Sequence, residues 1–282
     1  MTEARVTANG LEHRVLTWGQ PAAASTVFLI HGFMDAAGTW DRVAPTLAAA
    51  GHRVIAPHMR GFGEGPRAPS GAYYHFPDYV ADLDGLVRHF APEGQVSLVG
   101  HSMGGTVVTL FAGSSPERVR TLVSIEGLGP PDNGFDMGPV RMRRWLDDLQ
   151  ALRPAVAIKR EDARRRFGMA HSYVPADILD HRFPYLVEDV GDGMVKWRYD
   201  PLHRTTSPMP FFAELLKEYA KKVTCPVTFV SGGAQGFHPP DEDERIAAFA
   251  NIESFTLEGA GHMVHWTRPD DLATLLVTRL SA

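Results

Sequence analysis

In Gly100-His101-Ser102-Met103-Gly104-Gly105 a serine stands between glycines, where the apolar run Val96 to Val99 meets the helix-compatible run Thr106 to Ala112. A serine exposed at the tip of a strand takes a positive φ, and the backbone then passes so close to itself that only small residues fit on either side. Gly100 and Gly104 occupy those two places. The turn also opens a helix, so the Met103 N–H and the positive end of the helix dipole face the point where an oxyanion forms in acyl transfer. The spacing predicts a nucleophile, Ser102, with half of its charge stabiliser attached.

Serine at its ordinary pKa is a poor nucleophile; it needs a base, and the base needs an acid that holds its tautomer. Of 13 histidines, His262 follows Gly259-Ala260-Gly261 just after the last predicted strand, where glycines let a loop fold back over the sheet edge, and it is the predicted base. His265 completes a His-x-x-His pair, but no cysteine or carboxylate cluster stands at ligand spacing, so a zinc site is not expected and His265 with Trp266 should pack beneath the loop. Straight after the run Thr26 to Ile30 comes His31-Gly32-Phe33. The glycine lets the next N–H turn inward, which makes Phe33 and Met103 the expected oxyanion donors, each worth about 3 kcal/mol of barrier. His31 is expected to be a buried structural residue, and no metal or organic cofactor is needed for this chemistry.

These residues require a scaffold that brings distant loops together. Strands are predicted at His13 to Trp18, Thr26 to Ile30, Arg53 to Ala56, Val96 to Val99 and Arg120 to Ile125, separated by helices at Trp40 to Ala49, Pro77 to Phe90 and Met103 to Gly113. This βαβ alternation makes a parallel sheet, which places its ligands beyond the carboxyl ends of the strands, and every residue singled out above lies at such an end. The alternation stops after Gly127, where helical patterns such as Val140 to Leu152 take over, and it resumes with Val227 to Ser231, Asp241 to Ala250, Ile252 to Leu257 and Pro269 to Leu280. The expected organisation is a core of residues 1–129 and 223–282 with a mostly helical cap at 130–222.

A chain of 282 residues with 44% hydrophobic content can bury a full core, and a net charge of −5 argues against nucleic acid as a partner. The polar start lacks the pattern of a signal peptide and no apolar run reaches membrane-spanning length, so a cytoplasmic protein, monomer or homodimer, is expected. The lone Cys225 is read as a small core residue.

His31-Gly32 with Trp40 downstream, Arg60-Gly61-Phe62-Gly63, the elbow around Ser102 and Gly261-His262 resemble the α/β-hydrolase superfamily over nearly the whole chain outside the cap. The resemblance implies a mostly parallel eight-stranded sheet with helices on both faces, a lid over the site, and a triad in the order nucleophile, acid, histidine. In the related haloalkane dehalogenases and soluble epoxide hydrolases the nucleophile is aspartate; here it is Ser102. Most relatives carry the acid shortly after the seventh strand in a phrase like Gly-x-x-Asp, which here reads Gly232-Gly233-Ala234-Gln235 and has no carboxylate. The alternative place is the end of the sixth strand, where Glu126 closes the apolar run Val123-Ser124-Ile125. An unpaired buried carboxylate there would be costly, which favours Glu126 as the acid over Asp241, Asp243 or Asp132. This arrangement is similar to lactone hydrolases of the zearalenone-degrading type and to the serine-hydrolase-like branch.

The expected activity is hydrolysis of a carboxylic ester or lactone, a small-molecule substrate, through an acyl-enzyme on Ser102. Met34 and His101 flank the inferred oxyanion hole and nucleophile, and Met142 and Trp145 belong to the apolar residues of the cap; these four are the expected substrate contacts. Arg60 is expected to be a structural tie, and Arg198 and Asp200 to pair with one another. Two rival readings use the same residues: a carbon–carbon bond hydrolase of a β-diketone-like substrate, and a weakly catalytic ligand sensor on this fold.

Overall fold

The computed structural model describes residues 1–281. Along the chain run β1 (Thr2–Ala8), β2 (Leu11–Trp18), β3 (Ser25–Ile30), α1 (Ala44–Ala49), β4 (His52–Pro57), α2 (Phe76–Phe90), β5 (Val96–His101), α3 (Met103–Ser114) and β6 (Val119–Ile125). Then follow α4 (Met137–Ala151), β7 (Ile158–Lys159), α5 (Arg160–Ala170), α6 (Ala176–Leu186), β8 (Val187–Gly191), β9 (Met194–Trp197) and α7 (Ala213–Ala220). The chain closes with β10 (Val227–Ser231), α8 (Glu242–Ala247), β11 (Ile252–Thr256), α9 (Val264–Thr267) and α10 (Pro269–Leu280).

Eight strands form one sheet in the order β1-β2-β4-β3-β5-β6-β10-β11. The pairs β1/β2 and β2/β4 are antiparallel, and every later pair is parallel. Side chains alternate across a strand, and the buried runs of β3, β5 and β6 use both faces. Phe28, Ile30, Leu98 and Leu122 join one core with Leu83 and Leu86 of α2 and Val107 and Phe111 of α3. Leu29, Val99 and Val123 join the other with Leu47 of α1 and Leu272 and Leu276 of α10. The sheet is thus covered on both faces, and β5, one of its two central strands, leads into Ser102.

The structure adds details that the sequence pattern does not mark. The polar start forms β1, an edge strand paired with β2 whose mostly exposed residues carry little strand pattern. Within the mostly helical segment 130–222, β7, β9 and β8 form a small sheet around the buried Val195. Finally, α7 lies inside the stretch 130–222 but packs against the core: Ala220 joins the α2/α3 cluster, and a Cβ on Gly113 of α3 would lie 2.4 Å from the Tyr219 carbonyl oxygen. The predicted helix from Trp40 is shorter, with a 3-10 turn at Ala37–Trp40 before α1. Cys225 is a buried core residue whose thiol burial pushes up to about 11. No described helix is long and apolar enough to cross a membrane.

Candidate active site

Ser102 sits between β5 and α3 with φ 52°. The crowding inferred from the motif is present: a Cβ on Gly100 would lie 2.4 Å from the Gly104 carbonyl oxygen, and one on Gly104 would lie 2.2 Å from that of Ile30. Positive φ in non-glycine residues recurs at Met34 and Glu126, so three of the five such residues among those described border the same place.

Ser102 Oγ lies 3.0 Å from His262 Nε2, and His262 Nδ1 lies 3.2 Å from Glu126 Oε2. A carboxylate only accepts, so Nδ1 carries the proton and Nε2 turns its lone pair to the serine hydroxyl. The Glu126 side chain is fully buried whereas His262 is 30% exposed, which leaves the ring open to a substrate while its partner is shielded. The loop that lacks the usual aspartate has a different task. Gly232 N–H donates to Glu126 Oε1 at 2.5 Å and Phe237 N–H donates to Oε2, so backbone amides from that loop cradle the carboxylate. The other candidate acids are engaged elsewhere or exposed: Asp241 pairs with Arg245 at 2.8 Å, Asp132 accepts the Ala213 N–H at 2.5 Å, and Asp243 faces solvent.

Gly32 brings the loop after β3 against the elbow, since a Cβ there would lie 3.0 Å from Ser102 Cβ. Phe33 follows with its ring edge-on to Phe62, and Met103 opens α3, whose first N–H groups have no partner inside the helix. His31 is buried, with Nδ1 donating to the Gly32 carbonyl and Nε2 accepting the Met59 N–H.

Beneath these groups lies a tie that the sequence did not announce. Asp35, from the loop carrying Phe33, accepts a 2.9 Å hydrogen bond from Nε2 of His265, from the loop carrying His262. Burial pushes the His265 pKa down, so it donates as a neutral imidazole. Burial opposes the charge on Asp35, but the His265 hydrogen bond and the neighbouring imidazoles hold its pKa well below the ordinary carboxylate value. Asp35, His101 and His265 bring one ligand atom each within 4.8 Å of one another. The Asp35–His265 bond uses two of those atoms and all three residues are sealed from solvent, so the group fits a structural tie better than a metal centre. Tyr173, from the cap segment, is a second unforeseen contact: its ring covers Gly261, and its hydroxyl oxygen accepts the Met263 N–H at 3.1 Å.

Of the four expected substrate contacts, Met34 alone borders the cavity of about 290 Å³ between the core and the cap segment. His101 is buried, donates through Nε2 to the His262 carbonyl at 2.8 Å and packs on the rings of His262 and His265, so it holds the His262 ring from behind. Trp145 packs edge-on to Tyr73, and Met142 is an exposed residue of α4, a helix with no buried residue. Arg198 pairs with Glu64 at 2.8 Å, not with Asp200, which receives the Tyr74 hydroxyl. Arg60 is a tie as expected, holding Asp82 at 2.5 and 2.6 Å.

Residues 25–269 match the family model described as the alpha/beta hydrolase fold. The chain belongs to the α/β-hydrolase superfamily. Within it, the chain is 40% identical over 324 residues to Epoxide hydrolase A of Mycobacterium tuberculosis, covering 99% of this chain and 97% of that one. It is 31% identical over 191 residues to a serine hydrolase-like protein of Danio rerio, a match that covers 65% of this chain but spans only 57% of that protein's length. Among solved structures, a hypothetical protein of Pseudomonas aeruginosa PAO1 superposes with a TM-score of 0.85 at 27% identity, covering 100% of this chain and 98% of that one. The thioesterase domain from the curacin biosynthetic pathway shares the α/β-hydrolase fold at a TM-score of 0.83 and 24% identity, over 98% of this chain and 99% of that one.

Proposed function

We propose that this α/β hydrolase cleaves a carboxylic ester or lactone through an acyl-enzyme on Ser102. One observation carries the reading: the Ser102 hydroxyl is 3.0 Å from a histidine nitrogen whose partner nitrogen faces a buried carboxylate 3.2 Å away. Ser102 Oγ attacks the carbonyl carbon as its proton passes to His262 Nε2, and the Phe33 and Met103 N–H groups receive the oxyanion. The C–O bond then breaks as His262 returns the proton to the leaving alkoxide, and a water molecule activated by the same imidazole releases the acid. The Glu126 carboxylate orients the ring and stabilises the imidazolium formed in each half. In this reading the segment 130–222 acts as the cap over the site.

The name of the M. tuberculosis relative points to epoxides. Ring opening through a covalent ester needs a carboxylate nucleophile, and this chain has a hydroxyl at the elbow, so acyl transfer suits the residues better. The test is turnover of short and medium-chain aryl esters. Activity should be present in the parent protein and absent from Ser102→Ala with folding retained; unchanged hydrolysis in Ser102→Ala contradicts the assignment.

A further inference from the structure

The cavity of about 290 Å³ is small for a ligand site. Its wall begins at Met34, the residue after Phe33, and runs to His171, whose ring packs 5.2 Å from that of Trp266 in α9, just after His262. Met34 and Asp35 set the cavity beside the loop that carries Phe33, with the Asp35 carboxylate held by His265. Most of the wall is apolar or aromatic: Phe167 of α5, Leu186 of α6, Trp197 of β9 and Tyr199. Two cations also reach it, and they differ. Arg198 is satisfied by Glu64 and by the Val187 carbonyl. Arg166 is exposed and pairs with no carboxylate among the described residues, whereas its neighbours Arg164 and Arg165 are taken by Asp180 at 2.6 Å and Asp162 at 2.7 Å. A solvent-facing guanidinium beside an apolar cavity is a fork for an anion whose remaining atoms are buried.

We propose that this cavity takes the acyl arm of the substrate, an apolar or aromatic chain ending in a carboxylate, with Arg166 pairing that carboxylate where the cavity meets solvent. The inference rests on the acyl-transfer reading for the position of the scissile carbonyl, near Met34, and adds a substrate class to it. The burial of the chain supplies affinity that is indifferent to charge. The guanidinium supplies the discrimination between an acid and its neutral analogue.

Binding can be read without turnover by using the full chain with Ser102→Ala. Phenyl half-esters of the dicarboxylic acids from succinic to suberic, each beside its methyl-capped neutral partner, would be titrated calorimetrically. At least one acid should bind about tenfold tighter than its capped partner, the worth of roughly one charge-assisted hydrogen bond. Adding Arg166→Gln should abolish that preference and Arg166→Lys keep part of it, because lysine retains the charge without the fork. Arg165→Gln, which removes a neighbouring charge outside the cavity, should retain it.

The inference is overturned if no acid in the series is preferred, if neither partner binds, if the preference survives Arg166→Gln, or if Arg165→Gln removes it equally. Turnover of the capped esters by the parent protein reports separately on the hydrolase reading. Hydrolysis without carboxylate preference removes the cavity inference alone. Carboxylate preference without hydrolysis of any ester removes the hydrolase reading and leaves the cavity as a carboxylate site with no acyl role.

Discussion

Glu126 draws its role from where its carboxylate ends, between the His262 Nδ1–H and two backbone N–H groups of the loop after β10. Glu126→Gln keeps the shape but lets the side-chain amide present a donor to Nδ1, which favours the wrong tautomer. In steady-state assays its kcat should fall by about 10³–10⁴-fold, while Asp241→Asn should leave kcat near the parent value. An inverted result would move the acid to the later loop. Ser102, His262 and Glu126 were legible because each stands at a strand's carboxyl end in a pattern that only close backbone approach explains. The amide cradle was not, since Gly232 and Phe237 contribute backbone atoms that no side-chain pattern marks. Asp35–His265 was equally hidden, a contact between residues 230 positions apart. Asp35→Asn should lower kcat more than it raises KM, because it loosens the loop that carries Phe33, a proposed oxyanion donor, from the loop that carries His262, the proposed base. Equal loss in both constants, or none, would reduce the pair to packing.

At the scale of elements, α6 is fastened to the core through Asp41, which follows the 3-10 turn after β3. Asp41 accepts from Arg182, from His181 Nε2 at 2.6 Å and from the Tyr185 hydroxyl at 2.9 Å. Gly38 makes room for that aromatic ring, since a Cβ there would lie 2.4 Å from Tyr185 Cδ1. Arg182 is completely buried, so removing Asp41 would leave a buried guanidinium uncompensated. Asp41→Ala should therefore destabilise the protein by about 3 kcal/mol or more in denaturant unfolding, and Arg182→Met combined with it should recover part of that loss. Additive losses would show that the two residues act independently. The order of strands and helices in the core was readable from alternating apolar runs and glycine breaks. The cap's small sheet was not, because β7 has two residues and β8 is largely exposed, which leaves no periodic signal. The allegiance of α7 was invisible for another reason: an amphipathic helix does not state which surface it covers.

For the whole molecule, pH sensitivity follows from histidines folded into the interior. Burial pushes His58 down to about 3 and His203 down to about 4, and it lowers His31, His101 and His265 as well. In the unfolded chain these rings accept a proton near pH 6.5 that the folded protein refuses. Stability is thus at its full value above that pH and falls as pH drops toward the folded-state values, by up to about 1.4 kcal/mol per pH unit for each such ring. Going from pH 7 to pH 5, His58 alone should cost about 2 kcal/mol in guanidinium unfolding, and His58→Gln should flatten the slope. Stability that is level across that interval would mean that these rings are protonated in the folded protein.

The arrangement of the triad makes one demand above the others, that a hydroxyl at position 102 be far more reactive than any other serine in the chain. Incubation with an alkyl p-nitrophenyl phosphonate, followed by intact mass measurement and peptide mapping, reads this directly. We expect a single adduct, located on Ser102, that forms rapidly in the parent protein, slowly in Glu126→Gln and not at all in Ser102→Ala. An adduct on another residue, or one that forms at the parent rate in Ser102→Ala, would contradict the account.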